Sequence, residues 1–101
     1  GTVTGVQTCA LPIYAEQGFF ALDNWVTGAS FAGCSEQGNA VVCDFNRSGT
    51  QWIVAWAEQG EATYTTPSNS QLVCDPLANC TEAGPGTEII LTGVPVRVYL
   101  Q

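Results

Sequence analysis

From residue 29 onward the chain alternates apolar and polar positions in short runs broken by turn-forming residues. Val41, Cys43 and Phe45 fall on one side of one run. Val94, Val96, Val98 and Leu100 fall on one side of another. A period of two marks a half-buried sheet face. The pattern predicts strands over residues 29–33, 40–46, 51–57, 61–65, 71–75, 87–92 and 94–100. Between them stand Glu36-Gln37-Gly38-Asn39, Arg47-Ser48-Gly49, Gln59-Gly60 and Pro67-Ser68-Asn69. These are residues that favour turns. Residues 52–57 break the alternation, being apolar on both faces, which is the pattern of a central strand covered on both sides. Strands at roughly 8–12-residue spacing fit an antiparallel sandwich.

Ahead of the strands the period changes. Phe19, Leu22 and Val26 lie at helical spacing, and Gly28 stands where a C-terminal cap is wanted. The expectation is one N-terminal helix over residues 14–27. Phe20 and Trp25 lie off its apolar stripe, so neighbours are expected on more than one side.

Composition narrows the choice of partner. The chain has 101 residues and a net charge of −7, with Arg47 and Arg97 as its two cations and no His. Binding nucleic acid needs clustered Lys and Arg to neutralise phosphates, and an anionic membrane surface makes a similar demand. Neither partner is expected, and no apolar run is long enough to span a bilayer. Five cysteines in so short a chain point to an oxidising compartment, and hence to a secreted protein. No charged-then-apolar leader opens the sequence, so an export signal is expected upstream.

The favoured disulfides join Cys34 to Cys43 and Cys74 to Cys80, each closing a local loop. Four cysteines allow three pairings, and the other two stay open. In a regular strand Phe31 and Cys34 would face opposite ways. A bulge near Gly33 is expected to bring them together.

Two resemblances add to this reading. Val3-Thr4-Gly5-Val6-Gln7-Thr8-Cys9-Ala10-Leu11-Pro12-Ile13 resembles the in-frame translation of a common short-read sequencing adapter. That resemblance implies that residues 1–13 are artefactual, joined to a truncated reading frame of environmental (metagenomic) origin. It leaves Cys9 without an evolved partner and places more of the natural protein upstream. The alternative is an ordinary N-terminal strand over residues 3–11 ended by Pro12.

The second covers most of the remaining chain. Its pieces are Trp25-Val26-Thr27-Gly28-Ala29-Ser30-Phe31-Ala32-Gly33-Cys34, Trp52-Ile53-Val54-Ala55-Trp56 and Ala62-Thr63-Tyr64-Thr65-Thr66-Pro67. Then follow Val73-Cys74-Asp75-Pro76-Leu77-Ala78-Asn79-Cys80-Thr81, residues 89–91 and Val94-Pro95-Val96. In order and spacing these resemble the C-terminal β-sandwich of clan A glycoside hydrolases, family 39-like and family 5-like enzymes among them. The resemblance implies that residues 14–28 are a helix or linker from the end of a missing (β/α)8 catalytic barrel, and that residues 29–101 are an accessory sandwich. The two catalytic glutamates of such enzymes stand on barrel strands, so no residue here inherits a catalytic role. Relatives usually carry glycine where this chain has Ala78.

The residues themselves support several uses. Glycoside hydrolysis needs two carboxylates held about 5–10 Å apart, yet Glu36, Glu58, Glu61, Asp75 and Glu82 read as solvated turn and strand-end charges. Trp52 and Trp56 share one face and could stack on sugar rings; the preferred reading makes them core or interface. Trp25 and Tyr64 are weaker platforms, and Tyr99 is the ring expected to be exposed. The cysteine spacing and lack of His give no zinc site. Asp44, Asp75 and Glu82 could contribute to a calcium site, although no loop resembles an EF-hand. No cofactor is expected. Asn46-Arg47-Ser48 and Asn79-Cys80-Thr81 fit the glycosylation sequon.

The expected fold is therefore all-β: a small antiparallel β-sandwich of about seven strands with one N-terminal helix and two local disulfides. The expected function is a non-catalytic brace for the barrel of a secreted polysaccharide-degrading glycoside hydrolase. Its contact surface would include Phe19, Phe20, Trp25 and one face of residues 52–57. Without the barrel, an exposed apolar patch should drive some self-association. Two alternatives remain: a carbohydrate-binding module gripping polysaccharide through Trp52, Trp56 or Tyr99, and an extracellular assembly-forming protein.

Overall fold

The structure is a computed structural model, and it describes residues 28–101. The helix expected over 14–27 and the strand alternative over 3–11 lie outside the described residues. Those described are all-β. Strands β1 (Ser30–Gln37), β2 (Ala40–Arg47), β3 (Thr50–Ala57), β4 (Ala62–Thr65), β5 (Ser70–Cys74), β6 (Cys80–Glu82), β7 (Glu88–Leu91) and β8 (Val96–Leu100) follow one another along the chain. They form an antiparallel six-stranded sheet in the order β1-β2-β3-β8-β5-β6 and a two-stranded sheet of β4 and β7.

Two hairpins build the first half of the large sheet. The β2–β3 turn has Ser48 and Gly49 at its centre with φ of 50° and 84°. Positive φ at both central residues is the mirror-image turn whose twist matches that of paired strands. Asn39, in the β1–β2 turn, ties that turn to the β3–β4 loop. Its side-chain amide donates to the Gln59 and Glu61 carbonyls, and its Oδ1 accepts the Gln59 N–H at 3.1 Å.

The expected bulge is present. Phe31 pairs with Phe45 and Cys34 with Cys43, and the register shifts between Phe31 and Gly33. Phe45 and Cys43 are two residues apart on β2, whereas Phe31 and Cys34 are three apart on β1. The extra residue puts both on one face, and Gly33 absorbs it at φ 126°.

Each face of the large sheet has its own apolar cluster. Face one carries Val41, Cys43, Phe45, Trp52, Val54 and Trp56, with Ala29 and Phe31 against them. Face two carries Ala40, Val42, Ile53, Ala55, Ala57 and Val98, which pack with Tyr64 of β4 and Leu91 of β7. The small sheet therefore covers face two. The buried hydroxyls of Thr66 and Ser70 are satisfied: Ser70 Oγ donates to the Ala83 carbonyl at 2.6 Å, and Thr66 Oγ1 donates to the Gly84 carbonyl and accepts the Thr87 N–H. Unpaired, such groups would cost about 1–3 kcal/mol each.

Eight strands stand where seven were expected. The missed one is β6, three exposed residues that pair with β5 beyond the Asp75 turn. β1 runs four residues past the expected end, because Cys34-Ser35-Glu36-Gln37 form an edge whose exposed side chains hide the strand from a hydrophobicity pattern. β8 starts later than expected, at Val96, after a buried Pro95 that has no N–H to give a ladder. Val94 thus lies outside the strand, 40% exposed.

Both favoured disulfides form, Cys34 with Cys43 and Cys74 with Cys80. Each joins residues directly opposite one another in an antiparallel pair. Two such bridges fit an oxidising environment.

Candidate functional site

Face one gathers the chain's chemically distinctive side chains. Its strand registers align Phe31, Phe45, Trp52, Tyr99, Leu72 and Glu82 in one row across all six strands. Four of the six are aromatic. The Phe31 and Phe45 ring centroids are 5.5 Å apart and tilted, and Phe45 and Trp52 lie nearly parallel at 6.2 Å. Pairs at such distances add about 0.5–1.5 kcal/mol beyond the area they bury.

Both arginines converge on this row. The Arg97 guanidinium lies between two rings, 4.5 Å from the Trp52 centroid and 4.4 Å from that of Tyr99. Arg47 lies 5.3 Å from the same Trp52 ring. Guanidinium groups at this distance are drawn to the negative ring face. Burial lowers the Arg97 pKa from its usual value; Tyr99 opposes the shift and the Arg47 charge adds to it. All the positive side-chain charge of an acidic chain is thus focused at one end of an aromatic face.

The arrangement places the residues singled out above. Trp52 and Trp56 are 1% and 8% exposed, inside the face-one cluster. Tyr99 is half-buried under Arg97. Phe19, Phe20 and Trp25 lie outside the described residues. Tyr64 is buried against face two. Its pKa is raised by burial and then by the Asp44 charge, and burial likewise raises that of Asp44.

The acids are dispersed. Glu36, Glu58, Glu61 and Glu82 are exposed. Asp44 pairs with Ile53, a face-two residue, whereas Glu82 belongs to the aromatic row on face one. Asp75 caps its own turn: Oδ1 accepts the Leu77 and Asn79 N–H groups at 2.8 and 2.9 Å, and Oδ2 accepts the Asn79 side-chain amide at 3.1 Å. These bonds, led by those from Asn79, lower the Asp75 pKa. Among the described residues no three His, Cys, Asp or Glu side chains are grouped to hold a metal ion.

Arg47 and Arg97 are the residues that sequence reasoning passed over, having been weighed only as a shortage of positive charge. Alternation does put Arg97 and Tyr99 on one face. Their shared partner Trp52 depends on the β3–β8 register, which only the folded chain supplies.

Comparison with models of known protein families, with curated proteins and with solved structures found no match to this chain.

Proposed function

We propose that the chain is the accessory β-sandwich of a secreted polysaccharide-degrading glycoside hydrolase, with no catalytic group of its own, bracing a (β/α)8 barrel. The observation that carries this reading is the burial of β3. All six residues from Trp52 to Ala57 are buried, although the small sheet covers only face two. Trp52 and Trp56, 1% and 8% exposed, are held as packing side chains and not presented as an open platform for sugar rings, which favours a brace over a binding module. Residues 14–27 would join barrel to sandwich, with Phe19, Phe20 and Trp25 at the contact. The surface that the barrel would cover then drives weak self-association of the isolated chain.

The test mixes the full chain with a family 39-like catalytic barrel expressed without its own sandwich, and follows the barrel's melting temperature. A rise that saturates with added chain supports the brace. No rise with any such barrel overturns it. Saturable binding of the chain to cellulose, xylan, mannan or chitin would also overturn it, in favour of a carbohydrate-binding module.

A further inference from the structure

The two bridges sit in unlike settings. Cys34 has paired residues on both sides of it along β1: Ser30, Phe31 and Gly33 before, Ser35, Glu36 and Gln37 after. Opened, that bridge leaves its two thiols held opposite one another by the ladder. Cys80 is the first residue of β6, with Thr81 and Glu82 paired beyond it and the 75–79 turn before it. All six residues from Leu77 to Glu82 are exposed, so little apolar burial holds them against β5.

The same segment carries strain. Ala78 holds φ 66° inside the loop that Cys74 and Cys80 close, a conformation unfavourable for an L-residue. Opposing release are the bonds that Leu77 and Asn79 donate to the Asp75 carboxylate, which are exposed to water and contribute little net. Beyond β6 the chain is anchored again. Ala83 is buried, donates to the Gln71 carbonyl and accepts the Ser70 hydroxyl.

We propose that Cys74–Cys80 is a redox latch: reduction by an external dithiol frees residues 77–82 from β5, swinging about Ala83, while Cys34–Cys43 stays closed. Cys80 is exposed, so a thiolate of the dithiol attacks its sulfur, forms a mixed disulfide and expels the Cys74 thiolate, which takes a proton. The second thiol of the reagent then attacks its own sulfur in that mixed disulfide, and Cys80 leaves and is protonated in turn. The protein gains two electrons and two protons, and the reagent becomes its disulfide. Leu72, Val73 and Cys74 then form an edge with unpaired backbone, open to strand addition only where a reductant is present. The latch stands apart from the glycoside hydrolase reading and holds whichever protein the chain comes from.

The test equilibrates the full chain, with Cys9→Ser so that no fifth thiol exchanges, in mixtures of reduced and oxidised dithiothreitol. Alkylation and peptide mass spectrometry count the thiols at each pair. Cys74–Cys80 should be half open at a reduced-to-oxidised ratio about threefold or more below that for Cys34–Cys43. Opening of both at one ratio, or of Cys34–Cys43 first, would overturn the proposal. At a ratio between the two midpoints, amide exchange should show protection lost over residues 77–82 and kept in β1, β2 and at Ala83. Protection retained over 77–82 would sink the latch even if the bridge opens. Ala78→Gly relaxes the closed loop and should raise the ratio needed at Cys74–Cys80 by about two- to fivefold, with Cys34–Cys43 unmoved. An unchanged ratio in that variant would remove the turn's strain as a cause of opening.

Discussion

Val54 on β3 stands directly opposite Arg97 on β8, at the middle of a row that ends in a disulfide at each edge of the sheet. The registers align Cys34, Cys43, Val54, Arg97, Cys74 and Cys80 across all six strands. The outermost pairs are the two bridges. Each clamps a strand that ends the sheet among the described residues, β1 on one side and β6 on the other. Edge strands present unpaired backbone and have only one neighbour to hold them. The bridges therefore fix the two strands whose composition contributes least apolar burial.

Removing either bridge should cost stability in similar measure. Their cysteines are 9 and 6 residues apart in sequence. The chain-entropy relation then gives about 2–3 kcal/mol each. Cys34→Ala and Cys80→Ala are the suitable changes, because both side chains are exposed and the buried partner thiols remain as small apolar groups. Urea unfolding of the two variants and their combination should show costs that add, since the sites lie at opposite edges. Faster amide exchange in β6 than in β2 should follow from the Cys80→Ala change.

Ala78→Gly should stabilise the chain. Ala78 holds a φ of 66° in the turn closed by Cys74 and Cys80. That left-handed conformation costs an L-residue about 1–2 kcal/mol, of which glycine's greater freedom when unfolded gives back about 0.5–1. A net gain of about 0.5–1 kcal/mol is expected in denaturant unfolding. Ala78→Val should move the midpoint the other way.

The same turn should make stability depend on pH below the ordinary carboxylate range. Asp75 accepts bonds from Asn79 and Leu77, and its pKa is lowered from 3.8. A depressed folded pKa gives stability that is fully present above the unfolded value and is lost as pH falls through the folded one. Asp75→Asn should therefore be less stable than the parent at neutral pH and converge with it in strong acid. Melting curves over an acid series check both halves of the expectation.

Core and surface apolar residues should respond very differently. Trp52→Ala removes a ring that stacks on Phe45 and sits under both arginines, and should cost about 3–5 kcal/mol. Ile90→Thr, on the outer side of the small sheet and 59% exposed, should stay within about 0.5 kcal/mol of the parent. Chemical denaturation of the two variants separates a side chain held in place from one that merely rides the surface.

Local signals made much of the fold legible. Alternation located β2, and a run apolar on both faces located β3, each to within a residue or two, and turn residues placed the breaks between them. The awkward three-residue step from Phe31 to Cys34 was enough to expect the bulge at Gly33. Strands that bury little were harder to read. β6 has no apolar side chain in Cys80-Thr81-Glu82, and the second half of β1 is polar for the same reason: it is an edge. Of face one, the apolar character of residues 52–57 was visible, whereas the meeting of Arg47 and Arg97 on Trp52 was not.

The sequence by itself determined what each residue could do locally. It set which segments extend, where the chain reverses, and which cysteines lie near enough in sequence to bridge. Those properties depend on steric and solvation preferences within a few residues. Tertiary structure decided the order β1-β2-β3-β8-β5-β6, the choice of face that β4 and β7 cover, and the row from Cys34 to Cys80. Each of these joins residues far apart in the chain, so each depends on register. A one-residue slip would turn a strand's whole apolar set to the other face, and burial of both clusters together excludes it.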